Sequence, residues 1–288
     1  MKKIMSLFLI GMFAASTAFA GNMIQIKGSD TLINTVQKLA EDYMAKNPGA
    51  SISVTGGGSG TGVAALINKK CDIANSSRTI KDTEIAAAQA NGVDVKRVIV
   101  ALDGVAIIVN AANPVKELTV EQIGKIYKGD IKNWKEVGGE NMPIGLYGRQ
   151  PNSGTFSFVQ EMAVKGDYSG SMRQMNGNSQ IIEAVNADKG AVGYVGAGYA
   201  KEATGVTVLN VALKAGGEFV SPLVETNIQT GKYPLSRPLN QYLNGVPTGA
   251  VKDFIAYEVS DEGQKVVEEM GFFALSDDYK NYNKALGL

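Results

Sequence analysis

Histidine is absent from this 288-residue chain, and cysteine occurs once. Without histidine there is no Ser-His-Asp triad, no usual general base, and none of the commonest metal ligand. A single thiol, Cys71, can make no intramolecular disulfide and no cysteine-rich zinc site. It precedes a short strand pattern and is expected to be a small buried side chain. An excess of one charge is missing as well: 28 basic residues face 28 acidic ones, dispersed along the chain, which leaves no electrostatic footprint for nucleic acid. No metal and no cofactor are expected. Enzyme chemistry through a Ser-Lys or carboxylate route stays open, but the common routes are closed.

Long apolar runs are confined to the start. Lys2-Lys3 is a basic opening, residues 4–15 are apolar, and Ala18-Phe19-Ala20 has the small-x-small pattern of signal-peptidase cleavage. Residues 1–20 are therefore read as a signal peptide, with the mature chain beginning at Gly21. They contain two lysines and no acid, so the remainder carries two more acids than bases. No cysteine at the cleavage point offers a lipid anchor, and no later run approaches the roughly 20 residues that span a bilayer. The expected product is exported to the periplasm, with no membrane insertion after cleavage.

What the chain has is a recurring layout of strand, polar loop and helix. Ile24-Gln25-Ile26 alternates and leads into Gly28-Ser29-Asp30-Thr31, after which Leu32, Val36, Leu39 and Tyr43 fall at helical spacing. Ser29 or Asp30 is the expected cap of that helix. Ile52-Ser53-Val54 leads into Thr55-Gly56-Gly57-Gly58-Ser59-Gly60-Thr61-Gly62. This glycine loop lacks the Gly-Lys-Ser/Thr ending of a nucleotide P-loop. Asp72-Ile73-Ala74 leads into Asn75-Ser76-Ser77-Arg78-Thr79 and a helix over about 81–91. Ile144-Gly145-Leu146-Tyr147 leads into Arg149-Gln150-Pro151-Asn152-Ser153-Gly154-Thr155 and a helix from Phe156. Helix starts present unpaired N–H groups and partial positive charge, serine and threonine add hydroxyl donors, and arginine adds a planar fork that matches two oxygens. One such loop is ordinary capping. Four of them after strands point to a ligand site at the carboxyl ends of a sheet, suited to a tetrahedral oxyanion.

The rest of the chain keeps the alternation. Residues 98–100 and 105–109 are read as two strands interrupted by Asp103-Gly104. Thr119-x-x-Gln122 is a capping box opening a helix that ends near Tyr127. Trp134 is read as a packing anchor. Residues 179–186 form a helix, and 191–195 and 206–209 form strands. Residues 232–243 contain two prolines and are read as an irregular or edge segment. Residues 251–259 and 263–270 are amphipathic helices. Strand and helix alternating throughout predict an α/β architecture with largely parallel pairing.

With these loops in hand, the chain resembles the phosphate-binding proteins of bacterial phosphate-specific ABC importers. The stretches that carry the resemblance are GSDT at 28–31, TGGGSGTG at 55–62, DIANSSR at 72–78, ALDGVAIIVN at 101–110, IYKGDIKNW at 126–134, RQPNSGT at 149–155 and GAVGYVGAGYA at 190–200. They cover nearly the whole mature chain. The resemblance implies a two-lobed periplasmic-binding-protein fold (type II), with residues 21–102 and 231–288 as one lobe and 103–230 as the other. Its implied role is a monomer that captures inorganic phosphate in the interlobe cleft and passes it to a membrane permease with its ATPase. The alternatives are a binder of another oxyanion in the same fold, sulfate or molybdate, and an exported phosphohydrolase with Ser59 or Ser153 as nucleophile.

Carried over by position, the implied contacts are Thr31 and the backbone of Leu32, Ser59, and Arg149, Ser153, Gly154 and Thr155, with Ser29, Ser77 and Arg78 completing the set. Where much of the family has an aspartate that accepts the phosphate's own proton, this chain has Ser77. Asp30 is the acid left inside the four loops, and it is either that acceptor or a helix cap. Asp103 is either the carboxylate that orients a cleft arginine, Arg149 or Arg78, or a turn aspartate before Gly104.

Overall fold

A computed structural model describes residues 23–288; the signal-peptide reading of 1–20 lies outside the described residues. In chain order the elements are β1 (Ile24–Gly28), α1 (Ile33–Lys46), β2 (Ile52–Thr55), α2 (Ser59–Ile67), β3 (Ile73–Ser76), α3 (Asp82–Ala90), β4 (Val95–Asn110), β5 (Glu117–Thr119) and α4 (Val120–Lys128). After a 3-10 turn at Trp134–Val137 come β6 (Gly145–Arg149), α5 (Gly154–Val159), a π-turn at Gln160–Val164, β7 (Arg173–Met175), α6 (Asn178–Ala187), β8 (Ala191–Gly196) and α7 (Ala197–Lys201). β9 (Val206–Val208), β10 (Asn210–Ala212), α8 (Glu225–Gln229), β11 (Ser236–Asn244), α9 (Gly249–Glu258), α10 (Asp261–Glu269) and α11 (Asp277–Lys284) complete the chain.

A curled sheet runs β2-β1-β3-β11-β4-β8-β6-β7, with β9 also on β4, and helices flank it. Its two ends are parallel: β1 with β2 and β3, and β6 with β8 and β7. The middle is not. β4 and β11 run antiparallel to every strand they pair with, so the expectation of largely parallel pairing holds only for the flanks. Among the described residues no helix is long and apolar enough to cross a membrane.

β4 is one strand of 16 residues, with no break at Asp103-Gly104. The two residues serve packing here and not turning. Asp103 pairs in register with Arg237 of β11, and a Cβ on Gly104 would stand 2.6 Å from Ile228 Cδ1, so the glycine leaves room for that side chain. β11 likewise overturns its reading as an edge, since it lies between β3 and β4. Pro238 is tolerated there for a geometric reason. Its partner Leu102 exchanges backbone hydrogen bonds with Phe273 (2.8 and 3.0 Å), so Leu102 and Pro238 present no hydrogen-bonding groups to each other. The pairing of β11 with β3 covers only residues 240–242, so no β3 residue is registered opposite Pro238, and its missing N–H breaks no ladder.

Apolar residues separate into distinct clusters around these crossing strands. Ile26, Val36, Leu39, Val98, Leu239 and Phe254 belong to one; Val105, Ile107, Ile123, Trp134, Tyr194 and Tyr233 belong to another. Within β4 the change falls between Ala101 and Leu102. The Thr119/Gln122 capping box at the start of α4 is present, Gln122 N–H donating to Thr119 Oγ1 (3.1 Å) and Thr119 N–H to Gln122 Oε1 (2.8 Å). Trp134 is fully buried and donates from Nε1 to the Gly190 carbonyl. Cys71 is only half-buried; burial, with Asp72 beside it, pushes its thiol up to about 12, which keeps it protonated.

Candidate anion site

The four polar loops converge. β1 and β3 are parallel neighbours, so the residues after them lie side by side, and Ser29 N–H donates to the Asn75 carbonyl at 2.9 Å. The glycine loop after β2 folds over them, with Gly58 N–H donating to the Gly28 carbonyl (2.9 Å) and Gly57 N–H to Asp30 Oδ1 (2.7 Å). The loop after β6 meets this group from the other end of the sheet. Gly60 N–H donates to the Asn152 carbonyl (3.0 Å), and Asn152 Nδ2 to the Gly57 carbonyl (2.7 Å). The approach is close enough to require glycine. Gly58 has φ +90°, and a Cβ there would lie 2.5 Å from the Asn152 oxygen.

Hydroxyls face one another in this space. Thr31 Oγ1 and Thr155 Oγ1 are 3.1 Å apart, and Ser59 Oγ and Ser77 Oγ 3.3 Å apart. A Cβ on Gly154 would come within 2.3 Å of Ser59 Oγ and 2.7 Å of Ser77 Oγ, which fixes Gly154 against both. Ser153 caps α5 through Phe156 N–H. Thr31, Ser59, Ser77, Arg149, Ser153 and Thr155 are all buried, as is Ser29. Leu32 N–H is turned back to the Ser29 carbonyl at 3.2 Å. The structure thus brings together Ser29, Thr31, Leu32, Ser59, Ser77, Arg149, Ser153, Gly154 and Thr155.

Three residues have partners other than those expected. Arg78 leaves the group: its guanidinium makes a two-point ion pair with Glu84 at the start of α3 (2.6 and 2.7 Å) and donates to the Thr79 carbonyl. Burial pushes the Glu84 carboxyl up, but the hydrogen bond and charge of Arg78, with the Lys81 backbone, outweigh it and hold Glu84 below its ordinary range. Asp30 is not the cap of α1, whose N-cap is Leu32 with no side-chain bond. Its Oδ2 instead accepts from Arg149 Nη2. Asp103 orients neither Arg149 nor Arg78. Its Oδ2 accepts two hydrogen bonds from Arg237 (3.0 and 2.8 Å), and its Oδ1 one from Ala197 N–H (2.9 Å).

Arg149 is fixed from several sides. Nη2 also donates to the Asn176 carbonyl (2.8 Å), Nε to the Met175 carbonyl (3.3 Å), and its backbone N–H to Tyr194 Oη (2.9 Å). Burial pushes the Tyr194 hydroxyl up to about 12, so it stays a neutral acceptor. Tyr199 Oη donates to the Asp30 carbonyl, which ties α7 to the first loop.

Sequence reasoning missed Arg237. It is buried, donating to Thr155 Oγ1 (3.0 Å), to the Ser77 carbonyl (2.8 Å) and to Asp103. Burial pulls its guanidinium down and pushes the Asp103 carboxyl up, against their mutual attraction. Its sequence signal was an arginine between Leu235 and Leu239, which becomes informative only once the register with Asp103 is known.

Residues 14–262 match the family model of the PBP superfamily domain. The phosphate-binding protein PstS of Pseudomonas aeruginosa is 32% identical over 281 residues, covering 91% of this chain and 86% of that protein. PstS of Bacillus subtilis is 31% identical over 262 residues, covering 90% and 82%. A structure from Clostridium perfringens with bound phosphate superposes with a TM-score of 0.78 at 30% identity, covering 88% of this chain and 100% of that one. An ABC-type phosphate transport receptor from Vibrio cholerae gives 0.71 at 30% identity, covering 87% and 99%. The curled sheet, the converging loops and these likenesses place the chain in the PBP superfamily and, within it, in the family of the PstS phosphate-binding proteins.

Proposed function

We propose that this protein is the substrate-binding component of an ABC importer, a binding protein and not an enzyme, and that it captures inorganic phosphate. The observation that carries the reading is the meeting of Thr31, Ser59, Arg149 and Thr155 from three separate loops, in a chain 32% identical to a phosphate-binding protein over most of its length. The contact set is Ser29, Thr31, the Leu32 backbone, Ser59, Ser77, Arg149, Ser153, Gly154 and Thr155. Residues up to 102 and from 231 onward act as one lobe, and 103–230 as the other, closing on the anion about β4 and β11. The two parallel flanks of the sheet and the separate apolar clusters support that division. Exported to the periplasm as a monomer, the protein delivers its anion to a permease and its ATPase. Fixed dipoles, hydroxyls and one guanidinium replace the anion's hydration shell, so affinity needs no global positive field. Titration calorimetry of the mature chain with phosphate tests this: saturable one-to-one binding is expected. Arg149→Ala should lose on the order of 2–5 kcal/mol, the worth of a desolvated charge-assisted contact. Binding unchanged in Arg149→Ala would move the site elsewhere.

A further inference from the structure

A side chain outside the contact set fastens the fourth loop to the glycine loop at the protein surface. Ser153 N–H donates to the Gln150 carbonyl (2.9 Å), closing a turn with Pro151 and Asn152 at its two central positions. Proline fixes its own φ, so this turn is held in shape before the loops meet. Asn152 is exposed and engages the glycine loop twice. Its carbonyl accepts from Gly60 N–H (3.0 Å), and its Nδ2 donates to the Gly57 carbonyl (2.7 Å). Any residue could offer the carbonyl, but the second bond needs a side-chain donor at this position.

Gly57 is held ready for that bond by its own side of the molecule. Its N–H donates to Asp30 Oδ1 (2.7 Å), and its carbonyl also accepts from Thr61 Oγ1 (2.7 Å). Its φ of +109° is a conformation that glycine adopts without strain. Gly57 and Asn152 are both exposed, whereas Ser59, Ser153 and Gly154, close to them in sequence, are buried. The Asn152–Gly57 bond therefore lies outside the group of hydroxyls, and on the division proposed above it joins one lobe to the other. Resting on the reading that this is a phosphate site on which two lobes close, we propose that Asn152 is the latch of the closed cleft. It is a positioning residue that does not touch the anion and sets how fast the anion leaves. Phosphate enters the open form, in which Asn152 and Gly57 stand apart, so their bond adds nothing to the association rate. The bond must break before the lobes separate, so its loss is felt in the dissociation rate.

The test compares the mature protein with Asn152→Ala, an exposed turn substitution that leaves the buried clusters untouched. Release of radiolabelled phosphate into an excess of unlabelled phosphate gives the dissociation rate, calorimetry gives Kd, and their ratio gives the association rate. Asn152→Ala should release phosphate roughly 2–10-fold faster, the scale of one neutral hydrogen bond, and raise Kd by the same factor. The association rate should stay that of the parent, as should the melting temperature without phosphate, because the latch is open there. An unchanged dissociation rate would overturn the proposal. So would a change in the association rate or in the phosphate-free melting temperature, either of which would make Asn152 a residue that shapes the loop and not one that latches it. Failure of the unmodified protein to bind phosphate would instead overturn the functional reading, and this inference with it.

Discussion

Asp30 and Arg149 lie 119 positions apart in sequence and form an ion pair between the loop after β1 and the end of β6. The other Asp30 oxygen holds Gly57, and its carbonyl holds Tyr199, so one residue ties three elements together. With Asp30 in place, the positive charge of Arg149 is already answered.

Asp30→Asn should therefore leave a buried guanidinium without its counter-charge. The expected loss is about 1–3 kcal/mol, below the 3–5 typical of fully buried pairs, because the Asp30 side chain keeps 17% exposure. Phosphate would restore the missing charge, so the variant's melting temperature should rise more on adding phosphate than the parent's. Thermal unfolding with and without phosphate measures both; an equal rise in the two proteins would count against the pair's role.

Gly154 makes a second, steric prediction. Gly154→Ala places a methyl within 2.3 Å of Ser59 Oγ and 2.7 Å of Ser77 Oγ, so both buried hydroxyls must turn away from the positions they hold. Phosphate binding should weaken by at least about tenfold, while circular dichroism stays that of the parent. Unchanged affinity would show that the loops need not approach this closely.

Much of this was legible because loop chemistry is local. Each of the four loops follows a short strand and leads into a helix, at the residues expected. The failures share a cause: the deciding partner was remote in sequence. Asp103-Gly104 and Pro238 read as breakers, yet both sit within long strands because of what faces them, Arg237, Ile228 and the Leu102–Phe273 bridge. Arg78 looked like an anion ligand until Glu84, six residues on, was seen to take both ends of its fork. Asp30 as the partner of Arg149 required knowing that the first and fourth loops meet.

Glu258 predicts a pH dependence unrelated to the anion. It is fully buried, its Oε1 accepts from Gln241 Nε2 (3.0 Å), and among the described residues its Oε2 has no hydrogen-bond partner. Burial pushes its carboxyl from an ordinary 4.5 up to about 8, against the opposing pull of the Gln241 hydrogen bond. Between those values the folded protein holds a proton that the unfolded chain has released. Stability from this group is full below pH 4.5 and falls as pH rises toward 8, by at most roughly 1.4 kcal/mol per pH unit. Glu258→Gln should flatten that slope and be more stable than the parent above pH 8. Urea unfolding across the interval decides it, and parallel slopes in the two proteins would refute the assignment.

The Asp103–Arg237 pair offers a test of a different kind, because its members are cross-strand partners in β4 and β11 and neither side chain is more than 2% exposed. Removing one partner strands the other's charge in the interior. Arg237→Met alone should cost about 3–5 kcal/mol, and Asp103→Leu alone a similar amount. The double variant strands no charge, so its loss should be well below the sum of the two. It will not vanish, since Ser77 and Thr155 also lose the donors that Arg237 gave them. Urea unfolding of the parent and the three variants closes the cycle and gives the coupling energy directly. Losses that simply add would mean that Asp103 and Arg237 act independently. Arg237 would then be held in β11 by Ser77 and Thr155 alone.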